Sequence, residues 1–255
     1  MLGSARRTAG AARKSAGGIA LVMCVTVLTA GSAAGCAVSR ELTLPAAPTA
    51  EATAVSEAAH SVVRVRGVAS SCRKRLEGTG FVYAPERVLL NAHVVAGADR
   101  ALEVVLDDGR RFPARVVVFD PEVDAAVLRV PGLTARPLRL TEAAITAAAV
   151  VGYRKGAAVP STLPATVLPD QPAGSYDIYN RTRVSRQVHR FQGAVITPGM
   201  SGAPLVADGN RVAGMVFAAD MDKADVGYAL TAAQLEEVAA TGIKATATVP
   251  HDPCD

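Results

Sequence analysis

From Ser61 onward the apolar positions fall into short runs rich in valine, broken by Gly, Pro and Asp: SVVRVRGV, GTGFVYA, ALEVVLDD, RFPARVVVFD, DAAVLRV, ITAAAVVGY, ATVLP, RVSRQVHRF, GAPLVA, RVAGMVFAA and VGYALT. In SVVRVRGV the period is two, which puts Val63 and Val65 on one face and Arg64 and Arg66 on the other. Many short strands with turn signals between them predict an all-β sandwich or a pair of barrels. One stretch departs from this period. TAAQLEEVAATG, Thr231 to Gly242, has a capping threonine, helical spacing and a glycine stop, and predicts a C-terminal helix after the last strand.

Ahead of Ser61 the pattern changes twice. Residues 37–57, AVSRELTLPAAPTAEATAVSE, are rich in Ala, Thr, Ser and Pro without strong periodicity of either kind and predict a spacer, so the folded domain is expected over 58–255. Residues 1–36 read as an export signal, with a basic start, the uncharged GIALVMCVTVLTAG and a small-residue end. The AAGC at Ala33 to Cys36 is similar to a bacterial lipobox and makes Cys36 a lipidation candidate, although Ala33 stands where Leu or Val is usual. The alternative is an uncleaved anchor, since Ser15 to Ser39 carries no charge and is long enough to cross about 30 Å of hydrocarbon. Both readings place the body outside the cytoplasm and tether it to a membrane.

The net charge of +4 invites a nucleic-acid reading. Arg6, Arg7, Arg13 and Lys14 account for all of it, however, and the remainder is neutral, without the basic excess that phosphate binding needs. Cys24 lies in the hydrophobic segment and Cys36 at the lipobox, which leaves Cys72 and Cys254 in the body; in an oxidising compartment that pair reads as a disulfide. No metal or cofactor is expected. There is no C-x-x-C or H-E-x-x-H, and His60, His93, His189 and His251 are scattered singly.

The candidate chemistry lies in three segments. In TPGMSGAP, Thr197 to Pro204, small residues flank Ser201; they suit a nucleophile whose backbone approaches an oxygen closely, and equally a tight turn. In LLNAHVVAGA, His93 follows an apolar strand end, as a cleft-facing base or as a core histidine. In FDPEVDAAVL, Asp124 precedes an apolar strand, where it is either a strand-end residue or a buried carboxylate needing a partner such as an imidazole N–H.

Together these segments resemble the chymotrypsin-like serine peptidases in the order His, Asp, Ser. Among those, the bacterial HtrA-type peptidases carry G-x-G-F-V, N-A-H-V-V, D-x-A-V-L and G-x-S-G-x-P-L, which read here GTGFVYA, NAHVVAG, DAAVL and GMSGAPL. The actinobacterial membrane-tethered proteases of the mycobacterial acid-resistance type are more similar still, with a domain behind an anchor and cysteines matching Cys72 and Cys254. The resemblance covers about residues 58–255 and implies two six-stranded antiparallel β-barrels with a C-terminal helix. It implies a triad of Ser201 as nucleophile, His93 as base and Asp124 as orienting acid, acting on protein or peptide substrates, with the Gly199 and Ser201 N–H groups as oxyanion hole.

By the same resemblance Val195 forms the base of the primary substrate pocket and Ala218, Ala219 and Gly227 its walls, an uncharged lining that favours small or medium aliphatic residues. Asp220, Asp222 and Asp225 lie on the adjoining loop, where one carboxylate turned inward reverses that preference. Met200 replaces the aspartate that pairs with a freed N-terminus in relatives activated by cleavage, so the oxyanion loop is expected to be ordered by packing. Ala203 replaces the commoner glycine at small expected cost. Beyond the last strand only a helix and a short tail remain, and no PDZ module is expected. The competing reading is a catalytically silent trypsin fold serving as a tethered binding module.

Overall fold

SVVRVRGV becomes the first strand, β1 (Val62–Ala69), with Val63 and Val65 buried and Arg64 and Arg66 half-buried, as the alternation predicts. The computed structural model describes residues 50–251 except 209. A first sheet is built from β1, β2 (Lys74–Ala84), β3 (Arg87–Leu90), β4 (Arg100–Val105), β5 (Arg111–Pro113), β6 (Arg115–Asp120) and β7 (Ala125–Arg129), in the order β5-β4-β1-β2-β3-β7-β6. A second contains β8 (Arg139–Leu140), β9 (Ala147–Gly152), β10 (Ser161–Val167), β11 (Gln171–Tyr176), β12 (Arg183–Gln192), β13 (Pro204–Val206), β14 (Arg211–Ala219) and β15 (Val226–Thr231).

The sheets hold seven and eight strands, and each reduces to the six of the expected barrel once a local cause is taken into account. In the first, β5 and β6 are one run bent at Ala114; its start pairs with β4 and its end with β7, so it links the two sheet edges. In the second, β10 pairs with both β9 and β12, which closes a ring of β9, β13, β14, β15, β12 and β10. The two-residue β8 and the exposed hairpin strand β11 stand outside that ring.

Helices cover the ends. α1 (Ala50–Ala59) occupies the last part of the expected spacer, and buried Ala58 ties it to the core, so the ordered domain starts earlier than 58. The alanine-rich segment favours helix without a broad apolar stripe, and periodicity alone therefore missed it. The predicted C-terminal helix is α3 (Ala232–Lys244), capped by the Thr231 hydroxyl, which accepts from Gln234 N. It runs two residues past Gly242, which is not a stop: a Cβ there would lie 2.6 Å from Val127 and would also strike the Tyr83 hydroxyl, so the glycine serves close packing. Arg87 satisfies the helix end, donating from Nε to Gly242 O at 2.7 Å and from Nη2 to Ala245 O at 3.0 Å.

Cys72, between β1 and β2, is disulfide-bonded, while its expected partner Cys254 lies outside the described residues. So do the export segment and Cys36. Among the described residues no helix is long and apolar enough to cross a membrane.

Candidate active site

β3 ends in Leu90, and the chain turns through Asn91 into a one-turn helix, α2 (Ala92–Val95), that carries His93. The fully buried Asn91 donates from Nδ2 to Asp124 O at 3.0 Å. This bond fixes the turn between β6 and β7, where Asp124 adopts φ +64, a left-handed conformation costing an L-residue on the order of 1–2 kcal/mol. In return the Asp124 carboxylate, only 4 % exposed, reaches His93 twice: it accepts from Nδ1 at 2.8 Å through Oδ2 and from the backbone N–H at 3.0 Å through Oδ1. The buried acid has found the imidazole N–H that its burial calls for. Burial of the ring opposes its charged form, but the Asp124 charge and hydrogen bond outweigh both that and the nearby Arg186 guanidinium, and they raise the His93 pKa. The other edge of the ring is open, with the side chain 36 % exposed.

Ser201 sits on the 197–203 loop, whose peptides are individually held. Pro198 O accepts from Lys155 N at 2.7 Å, Gly199 O from Thr79 Oγ1 at 2.7 Å and Met200 O from Ala203 N at 3.0 Å. A trans peptide is planar with N–H opposed to C=O, so anchoring the Pro198 and Met200 carbonyls aims the Gly199 and Ser201 N–H groups the other way. Among the described residues neither N–H has a protein acceptor. Gly199 has φ +96, and a Cβ on it would lie 2.5 Å from Lys155 N, so only glycine fits. Met200 is fully buried among apolar residues of the second sheet.

Thr79, the middle residue of GTG, escaped the sequence reading. It is fully buried; its hydroxyl also accepts from Tyr153 N at 2.9 Å, and its backbone N–H donates to Ser201 O at 2.9 Å. A polar side chain between two glycines, at the start of the buried half of β2, was the available signal. Arg186 escaped as well, although in RVSRQVHRF it falls on the inward phase with Val188 and is 4 % exposed.

Of the four expected pocket residues two meet directly, Ala218 pairs with Tyr228, and Val195 is 45 % exposed. Ala219 and Gly227 are cross-strand partners, and a Cβ on Gly227 would lie 3.0 Å from Ile196, the neighbour of Val195. The fully buried Phe191 lies 2.7 Å from the same point. Asp220 is committed to its own loop: Tyr228 donates to Oδ2 at 2.8 Å, Asp222 N and Lys223 N donate to Oδ1, and these bonds lower its pKa. A larger groove of about 1100 Å³, lined by Val55, His60, Val159 and Gln192 among others, shares no residue with this site.

Two barrel-like sheets with a histidine–aspartate pair and a serine on a glycine-rich loop define a protein class. The trypsin-like peptidase domain family matches residues 78–215, and the chain belongs to that family. Serine protease Rv3671c of Mycobacterium tuberculosis is 42% identical over 194 residues, covering 74% of this chain and 47% of that protein. Its crystal structure in the active form aligns with TM-score 0.74 at 39% identity, covering 79% of this chain and 88% of that one. The HtrA-type protease AlgW with a tripeptide aligns with TM-score 0.66 at 25% identity, covering 77% and 64%. The chain spans about half the length of the curated relatives it matches.

Proposed function

We propose that this chain is a serine endopeptidase of the cell envelope, tethered to the membrane on its extracytoplasmic side. The observation that carries the reading is the open-edged His93 held by Asp124 together with a Ser201 loop whose two N–H groups are unspent. Ser201 Oγ attacks the scissile carbonyl while His93 Nε2 takes its proton; Asp124 keeps the Nδ1–H tautomer and stabilises the imidazolium. The Gly199 and Ser201 N–H groups receive the developing oxyanion. His93 then protonates the leaving amine, and a water activated in the same way releases the acyl group.

The apolar pocket supports cleavage after small or medium aliphatic residues. A buried Val or Leu side chain gains roughly 1.5–3 kcal/mol there, whereas a basic residue would leave its charge unpaired. Asp220 supports this preference by being bonded elsewhere.

A catalytically silent binding module is the second reading. It is favoured by one observation: no hydrogen bond joins Ser201 Oγ to His93 among the described residues. Such bonds are often loose in unliganded enzymes. A fluorophosphonate probe decides between the two. Labelling that needs the native fold and is lost in Ser201→Ala supports the peptidase; an unlabelled folded protein refutes it.

Tethering through Cys36 rests on the lipobox resemblance, with an uncleaved Ser15–Ser39 anchor as its alternative. Metabolic fatty-acid labelling lost in Cys36→Ala supports lipidation, and membrane association without label supports the uncleaved anchor. A disulfide at Cys72 accords with export to an oxidising compartment. Pairing with Cys254 is supported by the docking of the tail, where Gly97 N donates to His251 O at 3.2 Å and His251 Nε2 to Ala98 O at 2.6 Å. The adjacent Asp99 bonds to Val68 and Ser70, which lead into the Cys72 turn. Non-reducing peptide mapping that finds Cys254 as a free thiol refutes the pairing.

A further inference from the structure

Arg186 presents a physical puzzle. It lies on β12 of the second sheet, is 4 % exposed, and makes no ion pair at contact distance among the described residues. Its Nε donates to Glu122 O at 2.8 Å, across to the turn of the first sheet that carries Asp124. Its guanidinium stands over the Phe217 ring at 5.9 Å, and its Nη2 is buried without a partner. A buried charge with one neutral acceptor is costly unless carboxylates nearby compensate it.

Three carboxylates do so only in part and from a distance: burial is the larger effect and lowers the Arg186 pKa. Asp120, Asp124 and Asp177 all favour the charged guanidinium, which burial alone disfavours. Each is already occupied by shorter bonds. Asp120 accepts from Glu122 N and Val123 N, Asp177 from Tyr179 N and Arg181 N, and Asp124 from His93. The Asp120 and Asp177 loops also meet directly, Ile178 N donating to Pro121 O at 3.1 Å. The guanidinium thus holds the turn that carries Asp124 through Glu122 O and joins the two sheets near the point where Asp124 is bent to φ +64.

We propose that Arg186 is the positioning residue of the His93–Asp124 pair: it pins the 120–124 turn through the Glu122 carbonyl and places a fixed positive charge near the pair. The proposal rests on the serine peptidase reading. Two consequences follow, one from the hydrogen bond and one from the charge. Loss of the bond to Glu122 O loosens the strained turn and the orientation of the imidazole, which lowers kcat more than it raises KM. Loss of the cation removes a group that disfavours the imidazolium; Asp124 is the other charged group acting on the ring, and it pulls the opposite way. His93 then stays protonated to higher pH.

The test uses the full chain with Arg186→Met, which keeps the stem packed on Phe217, and Arg186→Lys, which keeps the charge but not the planar donor fork. Peptide hydrolysis is followed from pH 4 to 9 beside thermal unfolding, with Ser201→Ala as the control. We expect Arg186→Met to move the acid limb of kcat/KM upward by about 0.5–1 pH unit and to lower kcat about tenfold with KM within about threefold. Arg186→Lys is expected to keep the wild-type acid limb while losing part of kcat. A cooperatively folded Arg186→Met with the wild-type acid limb overturns the proposal. If the methionine variant does not fold, the lysine variant decides: an unshifted limb with reduced kcat supports the proposal, and wild-type kcat or a shifted limb overturns it. Ser201→Ala separates the two levels. Residual hydrolysis in that control overturns the serine reading itself, whereas an inactive control beside an unchanged Arg186→Met overturns only the role of Arg186.

Discussion

Replacing Thr79 by valine removes one hydroxyl and changes almost nothing in shape. The hydroxyl donates to Gly199 O at 2.7 Å and accepts from Tyr153 N at 2.9 Å, in a position with no solvent exposure. Thr79→Val therefore strands a half-buried carbonyl and a buried N–H, at about 1–3 kcal/mol for a buried group and less for the carbonyl. The expected loss of stability is on the order of 2–5 kcal/mol, or a melting temperature lower by roughly 5–15 °C for a domain of this size. The larger consequence is kinetic. Gly199 O lies between the two peptides whose N–H groups form the proposed oxyanion hole, and once it is free the 199–200 peptide rotates and misaims its neighbours. A full oxyanion donor is worth about 10²–10³ in kcat, so partial misalignment is expected to reduce kcat by about 10–10²-fold with KM nearly unchanged. Steady-state hydrolysis of an aliphatic peptide below the melting transition measures this, and Thr79→Ser is expected to recover most of the rate. A folded Thr79→Val with kcat within about twofold of wild type would refute the reasoning.

Gly199→Ala places a methyl against Lys155 N at φ +96 and is expected to abolish hydrolysis while fluorophosphonate labelling slows sharply; wild-type turnover in a folded variant contradicts the loop geometry. His93 must be neutral to act as base, and its pKa is raised, so kcat/KM is expected to rise through an apparent pKa above about 6.5; a profile flat down to pH 4 counts against this base. The same raised value means that the pair's contribution to stability is full below about pH 6.5 and fades as pH climbs through the folded pKa, which thermal unfolding across that range detects. With Val195 as the proposed base of the primary pocket, Val195→Asp is expected to switch a peptide-library profile from aliphatic toward Arg and Lys before the cleaved bond; an unchanged profile means that Val195 does not form the base.

Sequence alone determined those features whose cause is local. The period-two alternation in SVVRVRGV marks which side of β1 is buried, because successive side chains of a strand must point to opposite faces. The capping threonine and spacing of TAAQLEEVAATG mark α3, and the ordered motifs around His93, Asp124 and Ser201 mark the candidate site together with the glycines its loop requires. Tertiary structure decided wherever the cause lies far along the chain. Gly242 reads as a helix stop but is a contact with Tyr83 and Val127, and RFPARVVVFD reads as one strand but bends at Ala114 to serve two sheet edges. Thr79 reads as a strand residue yet holds Gly199 O, 120 positions away. Arg186 sits on the inward phase of its strand, and three carboxylates brought near it by the fold offset part of the cost of its buried charge. Backbone periodicity follows from neighbours in the chain, but the aim of a peptide N–H and the tolerance of a buried cation follow from neighbours in space, and only the folded arrangement supplies those.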